Sequence, residues 1–171
     1  MVAAYLLLLC ILIILAVLFF VFFLLPFLFG APFQPTNEDK LRKMIKLANI
    51  KKGDKAVDLG SGDGRIVIAL AKAGAEAHGY EINPFLVLFS KCKIKKEGLS
   101  KKAFIHWKSF WNINFKDYNV VTLFQFGTIM NKLELKLKKE LKPKSRVVSY
   151  YWKFPRWKPS KHIGNIWLYL K

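Results

Sequence analysis

The run Val57-Asp58-Leu59-Gly60-Ser61-Gly62-Asp63-Gly64-Arg65 restricts the fold of this chain more than any other stretch, because an apolar segment leads into an acid and then into alternating glycines. Lys55 to Leu59 read as a buried strand. Gly60, Gly62 and Gly64 let the backbone turn sharply and approach a ligand where a Cβ would clash. A helix is expected from about Gly64. The G-x-G-x-x-G spacing of dinucleotide enzymes needs glycine at position 65, where this chain has Arg65, so NAD and FAD are disfavoured. The G-x-x-x-x-G-K-[ST] phosphate loop is absent as well. The loop points instead to S-adenosylmethionine, which has no phosphate for a helix N-terminus to hold.

A second acid supports this reading. Glu81 closes the next apolar run, Ala75 to Tyr80, so two successive strands each deliver an acid to one edge of a sheet. In a doubly wound sheet ligands bind beyond the carboxyl ends of the strands, and an acid there can accept from both ribose hydroxyls. The chain has only 11 Asp and Glu against 29 Lys and Arg, yet Asp58, Asp63 and Glu81 gather around this one pocket.

The 171 residues suffice for one domain and one further element. Val2 to Phe29 carries no charge and would be about 40 Å long as a helix, enough to span a bilayer core of about 30 Å with tilt. Pro26 is expected to kink or end it. A cleaved signal peptide is the competing reading, against which stand the missing basic n-region, the length of the run and the lack of an A-x-A-like site. The expected division is therefore an anchor over residues 1–30 and a folded domain over residues 31–171. Lys40, Arg42, Lys43 and Lys46 follow the span and nothing basic precedes it, so the N-terminus is expected outside and the domain on the cytoplasmic side. Cys10 and Cys92 provide no disulfide framework.

All charged residues follow the apolar span, so the net charge of +18 belongs to the folded part. A domain this basic and tethered suits an anionic lipid surface. Nucleic acid is allowed but not favoured, since the lysines are dispersed rather than arranged in one arginine-rich stripe.

Gly30 to Pro35 read as a short stiff linker, and Thr36 with Asp39 as a helix cap before Leu41, Met44, Ile45 and Ala48, which repeat at helical spacing. Strand and helix then alternate as in parallel sheets. Helices are expected over Arg65 to Lys72, Pro84 to Lys96 and Met130 to Leu141, and strands over Ala103 to Trp107, Val120 to Phe124 and Arg146 to Tyr151. A last antiparallel strand is expected over Asn165 to Leu170, because Lys153 to Gly164 lacks the pattern of a crossover helix. The fold class is α/β: a Rossmann-like, doubly wound, mostly parallel sheet of about six strands, preceded by one transmembrane helix. His78, His106, His162 and Cys92 show no metal-ligand spacing.

In its loop, second acid and ending the chain resembles the seven-strand class I methyltransferases. More narrowly, residues 32–170 resemble the membrane-anchored protein-lysine methyltransferases of the mitochondrial ADP/ATP carrier and the ATP synthase c-subunit. The resemblance rests on Pro32-Phe33-Gln34-Pro35-Thr36, the glycine loop through Val67, Gly79-Tyr80-Glu81-Ile82-Asn83-Pro84-Phe85-Leu86-Val87, Phe154-Pro155-Arg156-Trp157-Lys158-Pro159 and Ile166-Trp167-Leu168-Tyr169. It implies that Asp58, Gly60, Gly62 and Gly64 hold the amino-acid end of S-adenosylmethionine, Glu81 its ribose, and the residues after the third strand, Ser109 and Phe110, its adenine, with Ser61, Asp63 and Asn83 as further cofactor-binding residues. Relatives carry an acid where this chain has Ser109, before Phe110-Trp111, and serine accepts a hydrogen bond more weakly than a carboxylate. Thr36, Gln125, Phe126 and Trp152 are expected to border the methyl acceptor. Tyr150 and Trp157 are further candidates for that slot, with core packing the alternative for one or more of Phe126, Tyr150, Trp152 and Trp157.

The expected activity is that of a membrane-anchored methyltransferase acting on a lysine of a membrane protein. A lipid or quinone acceptor, RNA, and a non-catalytic membrane module stand as alternatives. The Asn-Pro-Pro-Tyr signature of amide and adenine amino methylation is missing after strand four. No catalytic residue is assigned, since alignment and desolvation of an amine could suffice. The oligomeric state is left open.

Overall fold

A computed structural model describes residues 2–21 and 34–171. Helix α1 (Val2–Phe19) is uncharged and exposed throughout, and it is long and apolar enough to cross a membrane. Residues 22–29 of the expected span, with Pro26, the domain boundary at residue 30 and most of the linker lie outside the described residues.

The folded part is one sheet of seven strands: β1 (Lys55–Leu59), β2 (Glu76–Glu81), β3 (Ala103–Trp107), β4 (Val120–Leu123), β5 (Arg146–Tyr150), β6 (Lys161–Ile163) and β7 (Ile166–Leu170). Their order is β3-β2-β1-β4-β5-β7-β6, with β1 to β5 parallel and β7 and β6 antiparallel. The sequence predicts about six strands. The additional one, β6, is a three-residue edge whose side chains are mostly exposed, so it has no apolar pattern to announce it. Strand order reverses between β1 and β4, which opens a crevice at their carboxyl ends.

The two faces are covered unequally. Helices α2 (Glu38–Ala48), α3 (Arg65–Lys72) and α4 (Pro84–Lys96) pack one face, with Met44, Val67, Leu70 and Ile94 against Ala56, Ala77, Val120 and Val148. The other face has α5 (Gly127–Glu140) and two irregular segments, from which Phe110, Phe115, Phe154 and Trp157 pack against Val57, Val121, Val147 and Tyr169. Neither the β3–β4 nor the β5–β6 connection contains an α-helix. Bulky aromatics fill the space instead, each burying more apolar area than an aliphatic side chain.

The expected cap of α2 is corrected by one residue. Asn37 Oδ1 accepts from the Lys40 amide at 3.0 Å, while Thr36 is buried and uses its carbonyl to accept from Arg65. Asparagine caps a helix as well as threonine does, and burial has committed Thr36 elsewhere. Helix α5 starts three residues earlier than the apolar period indicates, at Gly127, and β4 and β5 each end one residue short of expectation.

Candidate cofactor and acceptor site

The carboxyl ends of β1, β2, β4 and β5 border a cavity of about 430 Å³, within the range of small-molecule sites. Its lining includes Asp58, Gly60, Ser61, Gly62, Asp63, Glu81, Asn83, Ser109 and Phe110, together with Thr36, Gln125, Phe126 and Trp152. Among the cofactor-loop residues named from the sequence, Gly64 does not line it. Gly64 sits behind the loop at φ +77°, with Ser90 Cβ only 2.8 Å from where its own Cβ would be, so it packs the loop onto α4.

Glu81 is fixed by main chain. One carboxylate oxygen accepts from Gly62 N at 2.9 Å, and the other accepts from Ile82 N at 2.9 Å and Asn83 N at 2.8 Å. Strand β2 delivers this acid while the loop after β1 donates to it, so one side chain ties the two strand ends together. Of a carboxylate's about four lone-pair sites three are thus used, and one, on the oxygen that Gly62 donates to, remains for a ribose hydroxyl. Asn83, named from the sequence as a cofactor residue, borders the cavity, and its Oδ1 accepts from Phe85 N and Leu86 N and caps α4.

Asp58 is buried beneath the loop, and Thr122 Oγ1 donates to it at 2.8 Å. Burial pushes this carboxyl up to about 7 against the pull of the Thr122 bond, with the Glu81 and Asp63 charges adding to the rise. Asp63 behaves oppositely. Burial would raise it, but a two-bond pairing with Arg65 (2.9 Å each) and Lys93 at 3.1 Å hold it below the usual carboxylate range. Arg65 also donates to the Thr36 carbonyl at 2.7 Å, so the segment entering the domain is strapped across the cavity mouth, where Gln34 and Pro35 join the lining. Asp63 therefore organises the strap more than it offers a free acid.

Ser109 Oγ accepts from Trp111 N at 3.3 Å and starts the short 3-10 turn Phe110–Asn112, leaving its hydroxyl as a weak acceptor beside the cavity. Gln125 Nε2 donates to Leu59 O at 2.7 Å, and a Cβ on Gly60 would lie 2.5 Å from that nitrogen. The amide is thus oriented, and Gln125 Oε1 is buried with no hydrogen-bond partner among the described residues. Such an atom costs about 1–3 kcal/mol unless something else donates to it.

The far wall is aromatic. Phe124 and Tyr150 are 4.5 Å apart, and Trp152 lies against Gly127, whose Cβ would come within 2.9 Å of the indole. Tyr151 takes φ +73°, and Ser149 Oγ donates to Trp152 O at 2.6 Å, which folds the chain after β5 back over the opening. Trp157 is not part of this wall. It packs with tilted rings against Phe154 and Tyr169 in the core, and its Nε1 donates to Leu170 O at 3.2 Å. The Phe-Pro and Trp-x-Pro ending is accordingly a packing motif. Sequence reasoning also missed a sheet-face stack. Register sets His78 beside Phe104 and Tyr80 beside His106, and the two imidazoles approach at 3.0 Å between Nδ1 and Nε2.

These residues fit S-adenosylmethionine. Side-chain-free backbone at Gly60 and Gly62, a fixed carboxylate for the ribose and the Ser109 hydroxyl line one cavity, where Gly60 to Gly62, Asp58, Glu81 and Ser109 would hold the cofactor.

Comparison with known proteins agrees. The lysine N-methyltransferase of the ATP synthase c-subunit from Homo sapiens is 37% identical over 142 residues, covering 81% of this chain and 60% of that protein. The chain thus spans about three fifths of that relative's length. A protein-lysine N-methyltransferase of Saccharolobus islandicus is 37% identical, with 78% of this chain and 84% of that one covered. The structure of an RNA methyltransferase from Salinibacter ruber, solved with S-adenosyl-L-homocysteine, superposes with a TM-score of 0.74 at 30% identity, over 80% of this chain and 91% of that one. The ANTKMT methyltransferase domain model matches residues 58–161, from the buried aspartate of β1 to the edge strand, and this chain belongs to that family of S-adenosylmethionine-dependent methyltransferases.

Proposed function

We propose that the chain is a membrane-anchored protein-lysine N-methyltransferase that modifies a lysine of a membrane protein. The observation carrying this reading is the two-part cavity: a glycine-and-acid half suited to the cofactor, continuous with an aromatic half at Phe126, Tyr150 and Trp152. The lysine methyltransferases among its relatives support the acceptor, and α1 supports the anchor. The domain then lies on the cytoplasmic side, with the N-terminus outside.

S-adenosylmethionine, when bound, supplies an electrophilic methyl group. The protein must present the lysine as a neutral amine. An apolar slot disfavours the strongly hydrated ammonium, so a lysine gives up its proton to bulk water at the mouth and enters between Phe126, Tyr150 and Trp152 as the neutral amine. In this reading Gln125 Oε1, buried and without a partner among the described residues, accepts from an amine N–H and so directs its lone pair. The ring faces then favour the cationic methylated nitrogen, and Tyr151 with Trp152 limits entry of water. No strong base is required.

A second reading is RNA methylation, favoured by the net charge of +18 and by the Salinibacter ruber neighbour. Incubating the full chain with membranes and labelled S-adenosylmethionine distinguishes the acceptors. Label on a protein lysine, lost in Glu81→Ala, is the expected result. Label in the organic phase would identify a lipid or quinone acceptor, and label in RNA with steep salt dependence would favour the second reading. Failure of the folded chain to bind cofactor would leave a non-catalytic membrane module.

A further inference from the structure

We propose that the carboxyl edge of the sheet is itself a membrane-contact surface, which dips into the headgroup layer of an anionic bilayer and opens the acceptor slot there. This goes beyond tethering by α1, although it rests on α1 being embedded.

Exposed large apolar side chains are concentrated at this edge. Trp107, at the end of β3, is 68% exposed; Leu88 and Phe89, in the second turn of α4 and about 6–8 Å along it, are 64% and 58% exposed; Tyr151 and Trp152, after β5, are 54% and 42% exposed. Among the described residues of the folded domain, only Leu135 and Leu170 are exposed large apolar side chains away from it. Strands β3 and β5 end in the same direction because both are parallel to β1, and α4 begins where β2 ends. The apolar groups therefore flank the cavity on opposite sides. A soluble surface usually scatters such residues, whereas grouping around a site marks an interaction face.

The occupant follows from charge and from connectivity. Each apolar group is followed closely by an exposed lysine: Lys91 after Leu88-Phe89, Lys108 after Trp107 and Lys153 after Tyr151-Trp152. Tryptophan and tyrosine with lysines behind them form the arrangement that settles at headgroup depth, ring in the acyl boundary and ammonium at the phosphates; Lys91 and Lys108 supply it most directly, since Lys153 Nζ lies 4.1 Å from the centre of the Trp167 ring. The acids at this edge do not oppose it: Asp58, Asp63 and Glu81 are buried, and exposed Asp39 pairs with Lys43 at 2.6 Å. Glu38 is the remaining exposed acid near the strap. Connectivity points the same way. Gln34, Pro35 and Thr36 line the cavity, and residues 20–33 alone separate them from α1, a reach of at most about 50 Å. The strap that Arg65 holds thus enters the domain at the edge that carries the exposed aromatics.

The tryptophans supply a direct readout. All five lie after residue 100, so α1 contributes none. The full chain is reconstituted into phosphatidylcholine–phosphatidylglycerol vesicles with or without brominated acyl chains, and vesicle flotation after an alkaline wash is scored beside tryptophan emission. Bromolipid quenching is expected in the wild type. It should fall at least twofold in Trp107→Phe/Trp152→Phe, and it should weaken in Leu88→Ser/Phe89→Ser, which leaves every tryptophan in place; near-UV circular dichroism confirms that both variants are folded. A chain that floats but shows no quenching, or equal quenching in the double Phe variant, would overturn the contact surface and leave the anchor intact. A chain that does not float would overturn the anchor, and the contact surface with it.

Discussion

The β1–β2 half of the cavity and the β4–β5 half are built by different means. In the first, Glu81 binds three backbone amides and the glycine turn packs on Ser90 and Gln125, so the geometry is set by main chain. In the second, Tyr150, Trp152 and Phe126 stand on short segments and define the space with side chains alone. A main-chain site admits one ligand shape; a side-chain wall can be recut by substitution without disturbing the fold. One pocket can thereby keep its cofactor and vary its acceptor. The contrast is open to test because changes in the first half should damage cofactor binding or folding, and changes in the second should damage only transfer.

The largest expected effect concerns Asp58. Its folded value near 7 lies above the unfolded value of about 3.9, so folding favours the protonated carboxyl. Its contribution to stability is complete below about pH 4 and is lost as pH rises through about 7, a swing of about 4 kcal/mol at about 1.4 kcal/mol per unit. Asp58→Asn, neutral throughout, should remove that part of the slope. Denaturant unfolding of both proteins from pH 4 to 8 measures the difference, and parallel curves would show that the carboxyl is not held in this way. Next is Glu81→Ala, which strips a charged acceptor from the Gly62, Ile82 and Asn83 amides. Loss of about 3 kcal/mol, or about a hundredfold in cofactor Kd by calorimetry, is expected. Gly64→Ala should then cost about 2 kcal/mol of stability, from the positive φ and the 2.8 Å approach to Ser90 Cβ.

The first half is legible in the sequence because its determinants are local. Glycines at fixed offsets, an acid at a strand end and a second acid closing the next strand specify both position and chemistry. The second half is less so. Gln125, Phe126 and Trp152 do line the cavity, but Trp157 is indistinguishable from them until its burial against Tyr169 is known. Aromatic identity alone does not say whether a ring faces a core or a cavity. The strap is hidden for another reason, since it depends on Arg65 reaching a carbonyl 29 residues away. The His78–His106 contact likewise exists only once β2 and β3 are in register. Edge strand β6, short and exposed, has no pattern to read.

The smallest change tests the contrast most sharply. Gly127→Ala adds one methyl group at the first residue of α5, where alanine keeps only part of the about 1 kcal/mol advantage over glycine that it has in a helix interior, so the helix itself is not weakened. That methyl would lie 2.9 Å from the Trp152 ring, and the indole must move by a few tenths of an ångström or swing aside. Gly127 does not line the cavity, and no hydrogen bond of Glu81 or Asp58 passes through it. Cofactor Kd should therefore stay within about twofold while transfer to the membrane acceptor falls several-fold, equivalent to about 1 kcal/mol. Calorimetry beside initial rates of label transfer separates the two. If cofactor affinity fell in step with the rate, the aromatic wall would be part of the cofactor's own site, and the division into a fixed half and a variable half would fail.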